Sequence, residues 1–221
     1  MRRIIGAAFV SLDGVMQAPG GASEDPTGGF AHGGWLAPVG DETIDQTLGA
    51  LFGSPFDLLL GRRTFDIFAG YWPYAEGESK PMGELFDRID KYVVTHGDRP
   101  LDWQNSFALG GMDAVAELKR GEGPDIVIQG STTLYPQLLA AGLIDRLTLM
   151  ISPVLLGPGK RWFGDGTPPT TLRLVDHKIG TRGNVVATYE PAGPLQQQDI
   201  APPSTSAREQ ARQLAIAQGR W

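Results

Sequence analysis

The sequence predicts an α/β protein, in which short apolar strands alternate with amphipathic helices. The clearest unit is the β-branched run at residues 126–128, which is typical of a strand buried on both faces. Gly130 and Ser131 end this run, and leucines then recur at helical spacing from Leu134 to Leu143. A second unit of strand, glycine and helix occurs earlier in the chain. Two alternating segments near the carboxyl end predict an antiparallel hairpin.

The same reasoning assigns the other elements in chain order. Strands are predicted at residues 4–10, 56–60, 91–95, 126–128, 146–151, 171–179 and 184–190, with a further short strand at 103–109. Helices are predicted at residues 41–52, 81–87, 112–119 and 134–143, with a short helix ending at residue 69. Asp41 is the expected N-cap of the first helix, because its side chain can accept a bond from a free backbone N–H.

Composition indicates a globular protein and excludes several classes of function. The chain has 221 residues, of which 41% are hydrophobic and 20% charged, enough for one domain with a substantial core. A formal net charge of -6 argues against a general nucleic-acid or membrane-surface binder. The chain has no cysteine, and its histidines are not closely spaced, so we expect no metal site. No segment resembles a signal peptide or a transmembrane span, which predicts a cytoplasmic protein.

The composition of the chain changes after residue 191. Residues 1–191 are predicted to form a single domain. Residues 192–221 begin with a linker rich in proline and glutamine, and end in a helix-prone segment at 207–218. We therefore expect a docked or frayed tail rather than a second domain.

Polar residues follow several predicted strands at the points where the strands end. Open α/β sheets bind ligands at the carboxyl ends of their strands, so these positions are candidates for a ligand site. Arg62 offers a planar pair of donors to phosphate. Ser131 and Thr64 could each cap the helix that follows, and a helix N-terminus favours an anion. The alternative is that these junctions are plain turns with routine caps and that Arg62 is a surface arginine. The candidates are Gly61, Arg62, Thr64, Thr95, His96, Gly130 and Ser131.

Three further residues are candidates for contact with a substrate. Asp13, at the end of the first strand, could bond a ligand or a neighbouring backbone amide. Trp35 ends a long Gly- and Pro-rich segment, residues 17–35, of the kind that often forms a lid or binding loop. Trp35 could therefore line a pocket or lie in the core. Asp45 adjoins the apolar face of the first helix, where its pKa could be raised, although a solvated helix residue is the alternative.

Taken together, these junctions resemble the dihydrofolate reductase-like proteins, in particular the bacterial group related to the reductase domain of riboflavin biosynthesis. The matching segments are residues 11–14 (Ser-Leu-Asp-Gly), 61–65 (Gly-Arg-Arg-Thr-Phe), 95, 130–134 (Gly-Ser-Thr-Thr-Leu) and 153–159 (Pro-Val-Leu-Leu-Gly-Pro-Gly). The resemblance extends over about residues 2–191. It implies a mostly parallel central sheet flanked by helices, with a C-terminal antiparallel hairpin.

The resemblance also implies an NADPH-dependent reductase that transfers a hydride to a small heterocycle, such as a pteridine, a pyrimidine or a riboflavin precursor. A homodimer is common in the group. A protein of this fold that binds a nucleotide without catalysis, as a sensor, is the alternative, and a purely structural partner protein is another. The implied cofactor-binding residues are Gly61, Arg62, Thr64, Thr95, His96, Gly130, Ser131, Thr132 and Leu134. The residues predicted on the substrate side are Asp13 and Asp45, as catalytic groups, and Trp35.

Overall fold

The structure is a computed structural model that describes residues 1–201 and 204–220, so Pro202, Pro203 and Trp221 of the predicted tail lie outside the described residues. The strands are β1 (Ile4–Ser11), β2 (Phe56–Gly61), β3 (Lys91–Val94), β4 (Ser106–Leu109), β5 (Asp125–Gln129), β6 (Arg146–Ser152), β7 (Thr170–Ile179) and β8 (Val185–Pro194). The helices are α1 (Glu42–Phe52), α2 (Arg62–Tyr71), α3 (Lys80–Arg88), α4 (Met112–Arg120), α5 (Leu134–Ala140) and α6 (Ala207–Ala217).

The described strands form one eight-stranded sheet in the order β4-β3-β2-β5-β1-β6-β8-β7. The strands from β4 to β6 in this order all run parallel, whereas β8 is antiparallel to both β6 and β7. This confirms the predicted class: a mostly parallel sheet flanked by helices, with an antiparallel hairpin at its carboxyl end.

The central strands are mainly apolar because helices cover both faces of the sheet. Side chains alternate between the two faces of a strand. On one face, Val127 of β5 packs with β2 against aromatic side chains of α2 and α3. On the other face, Ile126 and Ile128 pack against Tyr135 of α5, together with residues of α4. A continuous apolar run is the pattern that such doubly covered strands require.

Helix α1 is joined to the tip of the β7–β8 hairpin through its N-cap. The Asp41 carboxylate accepts hydrogen bonds from the backbone N–H of Thr43, at 3.2 Å, and of Arg182, at 3.0 Å. Gly180 lies so close that a Cβ added there would be 2.2 Å from Asp41 Oδ2. The predicted cap is therefore confirmed, and it also holds the hairpin against α1.

Several predicted boundaries differ from the structure, among them the start of β4 at Ser106 instead of residue 103, and two of them differ for a clear local reason. Helix α5 ends at Ala140 instead of residue 143, because Gly142 adopts a positive φ of 63° and the N–H of Leu143 bonds to the carbonyl of Leu138. This is a Schellman-type helix end. Strand β8 continues to Pro194, past the predicted end at residue 190, because residues 191–194 still pair with β7.

Candidate functional site

The carboxyl ends of β2 and β5 lie side by side, which brings the two strand–glycine–helix junctions into contact. The two strands pair in parallel, with Leu58 opposite Val127. The N–H of Gly61 donates a hydrogen bond to Ser131 Oγ at 2.9 Å. The N–H of Ser131 in turn donates to Thr64 Oγ1 at 3.0 Å. Two segments about 70 residues apart in sequence are thus joined by hydrogen bonds at the carboxyl ends of two central strands.

The backbone at the β5 junction is left-handed at two consecutive residues. Gly130 has a φ of 72° and Ser131 a φ of 60°. A positive φ is uncommon for any residue other than glycine, and such strained conformations cluster at functional sites. A Cβ on Gly130 would lie 2.9 Å from Thr64 Cγ2, so a side chain larger than hydrogen does not fit there. The side chain of Thr64 therefore occupies the space beside Gly130.

The predicted capping roles of Ser131 and Thr64 are wrong. The N-cap of α5 is Thr133 and the N-cap of α2 is Gly61, and neither makes a side-chain capping bond. The hydroxyl groups of Ser131 and Thr64 instead accept backbone N–H groups from across the junction. Helix α2 therefore starts with free N–H groups that a ligand can bond.

These two hydroxyl groups are left as hydrogen-bond donors. A serine or threonine hydroxyl has one hydrogen to donate as well as lone pairs to accept. Each oxygen already accepts a backbone N–H, and neither hydroxyl hydrogen has an acceptor among residues 1–201 and 204–220. Hydroxyl groups that still have a hydrogen to donate fit a ligand rich in acceptor oxygens, such as a phosphate.

Arg62 lies at the start of α2 and is bound mainly within the chain. Its guanidinium donates to the Asp66 carboxylate at 2.8 Å and to the carbonyls of Arg99 and Pro100 at 2.8 and 3.0 Å. Because arginine has further N–H donors, part of its fork stays available to a ligand. Arg63, which the sequence analysis did not single out, is exposed, and its side chain has no partner in the described part of the chain.

The end of β3 adds two of the predicted residues on the far side of β2. Thr95 directly follows β3, and its hydroxyl accepts the N–H of Gly97 at 3.4 Å. His96 is exposed. The β5 side of the site holds Thr132, which is half-buried, and Leu134, which is buried in the core beside the junction. The structure thus places the predicted cofactor-binding residues at the carboxyl ends of three strands: β3, β2 and β5.

Asp13 is tied to the loop that follows β6. Its carboxylate accepts a hydrogen bond from Ser11 Oγ at 2.5 Å, and from the N–H groups of Leu156 and Gly157 at 3.2 and 2.7 Å. The Ser11 bond is the largest cause that lowers the pKa of Asp13 to about 2. Burial opposes it, and the amides of Gly157 and Leu156 add to the lowering. The structure favours the second alternative for Asp13, because its carboxylate accepts bonds from two neighbouring backbone amides. A carboxylate that is ionised at neutral pH is also a poor proton donor.

Trp35 is buried in the structure, whereas Asp45 is exposed. Trp35 is 8% exposed, packs with Val15 and Phe30, and donates its indole N–H to the carbonyl of Gln17 at 2.8 Å. The core alternative for Trp35 is therefore the one the structure favours. Asp45 is exposed in the first turn of α1. Its carboxylate has no partner in the described part of the chain.

A cavity of about 340 Å³ lies between the long loop after β1 and the loop after β6. The Lys160 ammonium bonds to the Asp25 carboxylate and to Thr27 Oγ1, and Gln17 bonds to both loops, so this wall of the cavity is cross-braced. The ring of Phe30 meets that of His32 edge to face at 5.7 Å. The lining residues are Gln17, Thr27, Gly28, Gly29, Phe30, Ala31, His32, Pro158, Gly159 and Lys160.

The sequence analysis missed these lining residues individually, although it identified residues 17–35 as a lid or binding loop. The only signals available were the length and the glycine content of that loop.

Another cavity, of about 470 Å³, lies near the amino ends of the strands, where Arg3 pairs with Asp125 and Arg146 with Glu190. Within the described residues, no cluster of three or more carboxylate or imidazole side chains could hold a metal ion. None of the described helices has the length and apolar character needed to cross a membrane.

Comparison with known proteins gives relatives of the same fold. The chain is 29% identical over 196 residues to "Uncharacterized protein YyaP" of Bacillus subtilis (strain 168), a match that covers 85% of this chain and 94% of the relative. A "putative riboflavin biosynthesis protein" from Shewanella sp. PV-4 has a similar structure, with a TM-score of 0.61 at 19% identity, covering 86% of this chain and 98% of that one.

Two other solved structures share the fold at low sequence identity. A pyrimidine reductase-like protein from Corynebacterium diphtheriae has a TM-score of 0.55 at 16% identity, covering 89% of this chain and 93% of the other. Dihydrofolate reductase from Enterococcus faecalis, complexed with NADP(H) and RAB-propyl, has a TM-score of 0.50 at 15% identity, covering 86% and 96%. Similarity at this level of identity establishes the fold alone.

The family assignment rests on the match to a family model, which extends over most of the chain. The model of the RibD C-terminal domain matches residues 2–187, from the start of β1 into β8. The match includes both junctions of the candidate site and the loops that line the cavity. The chain therefore belongs to the RibD C-terminal domain family.

Proposed function

We propose that this protein is an NADPH-dependent reductase that transfers a hydride to a small heterocycle of the pteridine, pyrimidine or riboflavin-precursor class. The observation that carries the proposal is the pair of hydroxyl groups on Ser131 and Thr64. Both are fixed by backbone N–H groups at the edge of the sheet, and both are free to donate to phosphate oxygens. The family and the reductase names of the structural neighbours support the same class of activity.

The residues present fit a dinucleotide phosphate. We place the pyrophosphate against residues 130–132 and the start of α2, where N–H groups and hydroxyl groups are available as donors. The adenosine half then lies toward β3, beside Arg62, Thr95 and His96, and the nicotinamide half lies toward β1 and β6. The adenosine half is assigned to the β3 side because Arg62 is the proposed partner of its phosphate, and β1 lies on the opposite side of the β2–β5 pair. When bound, NADPH supplies the hydride.

The substrate is proposed to occupy the cavity between the loops after β1 and β6. Phe30 offers an aromatic ring to a planar heterocycle, and the braced loops exclude water from one side. Of the two acids predicted to be catalytic, Asp13 is a poor proton donor because its pKa is held at about 2, and Asp45 does not line this cavity. Asp13 and Trp35 are proposed to shape the site by holding its loops.

Titration with nucleotides followed by a turnover assay tests this proposal. The full chain should bind NADPH more tightly than NADH, as measured by quenching of tryptophan fluorescence. It should also oxidise NADPH, followed at 340 nm, in the presence of a suitable pteridine or pyrimidine. Tight NADPH binding without turnover on any of these compounds would favour the sensor alternative. Failure to bind either nucleotide would contradict both.

The assembly and location of the protein are part of the same proposal. We propose a cytoplasmic homodimer. Strand β7 lies at the edge of the sheet and exposes Leu174, Val175 and Ile179, and such apolar surface is common at subunit contacts.

A further inference from the structure

We propose that Ser131 is a positioning residue that joins the two halves of the nucleotide site. In this proposal, the Ser131 N–H fixes the Thr64 hydroxyl as a donor to a ligand phosphate. The Ser131 hydroxyl meanwhile holds the first residue of the other junction, Gly61. The inference rests on the proposed nucleotide site and adds to it that the two junctions bind phosphate as one unit.

The two bonds run in opposite directions and close a ring between the junctions. Gly61 donates to the side chain of Ser131, while the backbone of Ser131 donates to the side chain of Thr64. Gly61 and Thr64 are separated by less than one turn of α2. Ser131 is 7% exposed, so water competes little for either bond. Movement of one junction therefore requires movement of the other.

The conformation of Thr64 is restricted from two sides. Its oxygen accepts the Ser131 N–H at 3.0 Å, and its methyl group faces Gly130, where an added Cβ would be only 2.9 Å away. Threonine is also stiff at χ1 because it is β-branched. Because one lone pair of the Thr64 oxygen accepts the Ser131 N–H, the hydroxyl hydrogen points away from that N–H and can be donated to a ligand.

The backbone of Ser131 is strained in a way that the ring explains. Its φ of 60° is a conformation that glycine adopts without strain, yet the residue here is a serine. Glycine would supply the same backbone geometry and the same N–H, but it has no hydroxyl to accept the Gly61 N–H. A serine is kept at this strained position because its hydroxyl accepts the Gly61 N–H.

The test is a double-mutant cycle on the full-length chain, with inorganic pyrophosphate and NADPH as separate probes in calorimetric titrations. Thr64→Val and Ser131→Ala should each weaken binding of both probes about ten-fold, the usual effect of a lost charge-assisted hydrogen bond. The double variant should lose clearly less affinity than the product of the two single losses, because both changes break the same ring. Thr64→Ser should restore most of the affinity. Thr133→Val, the same kind of change at an exposed threonine without a side-chain capping bond, is the matched control and should bind normally.

Amide hydrogen exchange in the ligand-free protein separates the ring from the nucleotide site. Ser131→Ala should speed exchange of the Gly61 N–H about ten-fold or more, and Thr64→Val should do the same for the Ser131 N–H. Unchanged exchange rates, or binding losses that multiply to about a hundred-fold in the double variant, would overturn the role of Ser131. If the unmodified chain binds neither probe while the exchange rates change as expected, the nucleotide proposal is wrong and the cross-link is only structural.

Discussion

Arg62 has one role within the chain and a second, proposed role toward the ligand, and a comparison of two nucleotides can separate them. Its guanidinium holds the carbonyls of Arg99 and Pro100, and we propose that its remaining donors bind the 2′-phosphate of NADPH. Arg62→Ala should therefore weaken NADPH binding by about ten- to a hundred-fold and leave NADH almost unaffected. Fluorescence titration with both nucleotides measures this difference. Equal weakening of both would mean that Arg62 acts on the pyrophosphate, or only through the loop that it holds.

Asp13 is expected to stabilise the fold in a manner that depends on pH. The pKa of its carboxyl, about 2 in the folded protein, is below the ordinary value near 4, so folding favours the ionised form. Its contribution to the free energy of unfolding is therefore fully present above pH 4 and is lost as the pH falls through about 2. Because the group is partly exposed, Asp13→Asn should cost only about 1 kcal/mol at pH 7, or roughly 2–4 °C in Tm.

Thermal unfolding of Asp13→Asn and the unmodified chain from pH 3 to pH 7 measures this dependence. The difference in Tm should shrink toward acid pH. A constant difference across the range would show that the bonds of Asp13 do not depend on its charge. A difference that grew toward acid pH would contradict the lowered pKa.

At the level of elements, the contact between α1 and the β7–β8 hairpin leaves no room for one added methyl group. In Gly180→Ala the new Cβ would meet both carboxylate oxygens of Asp41, at 2.2 and 2.5 Å, and would force the N-cap out of its bonds. We expect the free energy of unfolding in urea to fall by about 2–4 kcal/mol.

Gly49→Ala in α1 is the matched control for this change. Apart from the neighbouring residues and backbone of α1 itself, no atom in the described part of the chain lies within 4 Å of a Cβ at Gly49. Because alanine also favours the helix, this variant should gain about 0.5–1 kcal/mol. If Gly180→Ala is as stable as the unmodified chain, the hairpin tip is free to shift away from α1.

The elements themselves could be predicted because their signals are local. The β-branched run of β5, the cap at Asp41 and the leucine spacing of α5 each lie within a few neighbouring residues. The bonds of the site could not be predicted in this way. Ser131 meets Gly61 across 70 residues, and Asp13 meets Gly157 across 144, so their partners depend on the strand order. Sequence identified Ser131, Thr64 and Asp13 as polar residues at strand ends, and assigned the first two to the wrong partners.

For the whole molecule, the carboxyl-terminal tail is expected to be dispensable for nucleotide binding. Helix α6 buries no residue, and its apolar side chains Leu214 and Ile216 are 57% and 40% exposed. A helix of this length is only marginally stable without packing. A chain ending at Pro194 should therefore bind NADPH with unchanged affinity.

Light scattering on the same shortened chain reports on the proposed dimer. We expect the mass of a dimer to be retained, since the exposed apolar residues of β7 are still present. A change to monomer would assign the tail to the subunit contact. Loss of NADPH binding would instead mean that the tail completes the nucleotide site.

The position of β5 in the sheet also has a consequence for synthesis on the ribosome. β5 lies between β2 and β1, although it is made after β4. The first two strands to emerge, β1 and β2, therefore cannot pair with each other. A nascent chain stopped at Pro124 would hold β2, β3 and β4 as one partial sheet and β1 as an isolated strand, with the apolar flanks of both unpaired. Closure of the sheet must wait for residues 125–129, the strand that leads directly into Gly130 and Ser131. During translation, the strand that joins β1 to the β2–β3–β4 sheet therefore also brings in the second junction of the candidate site, before β6, β7 and β8 are made.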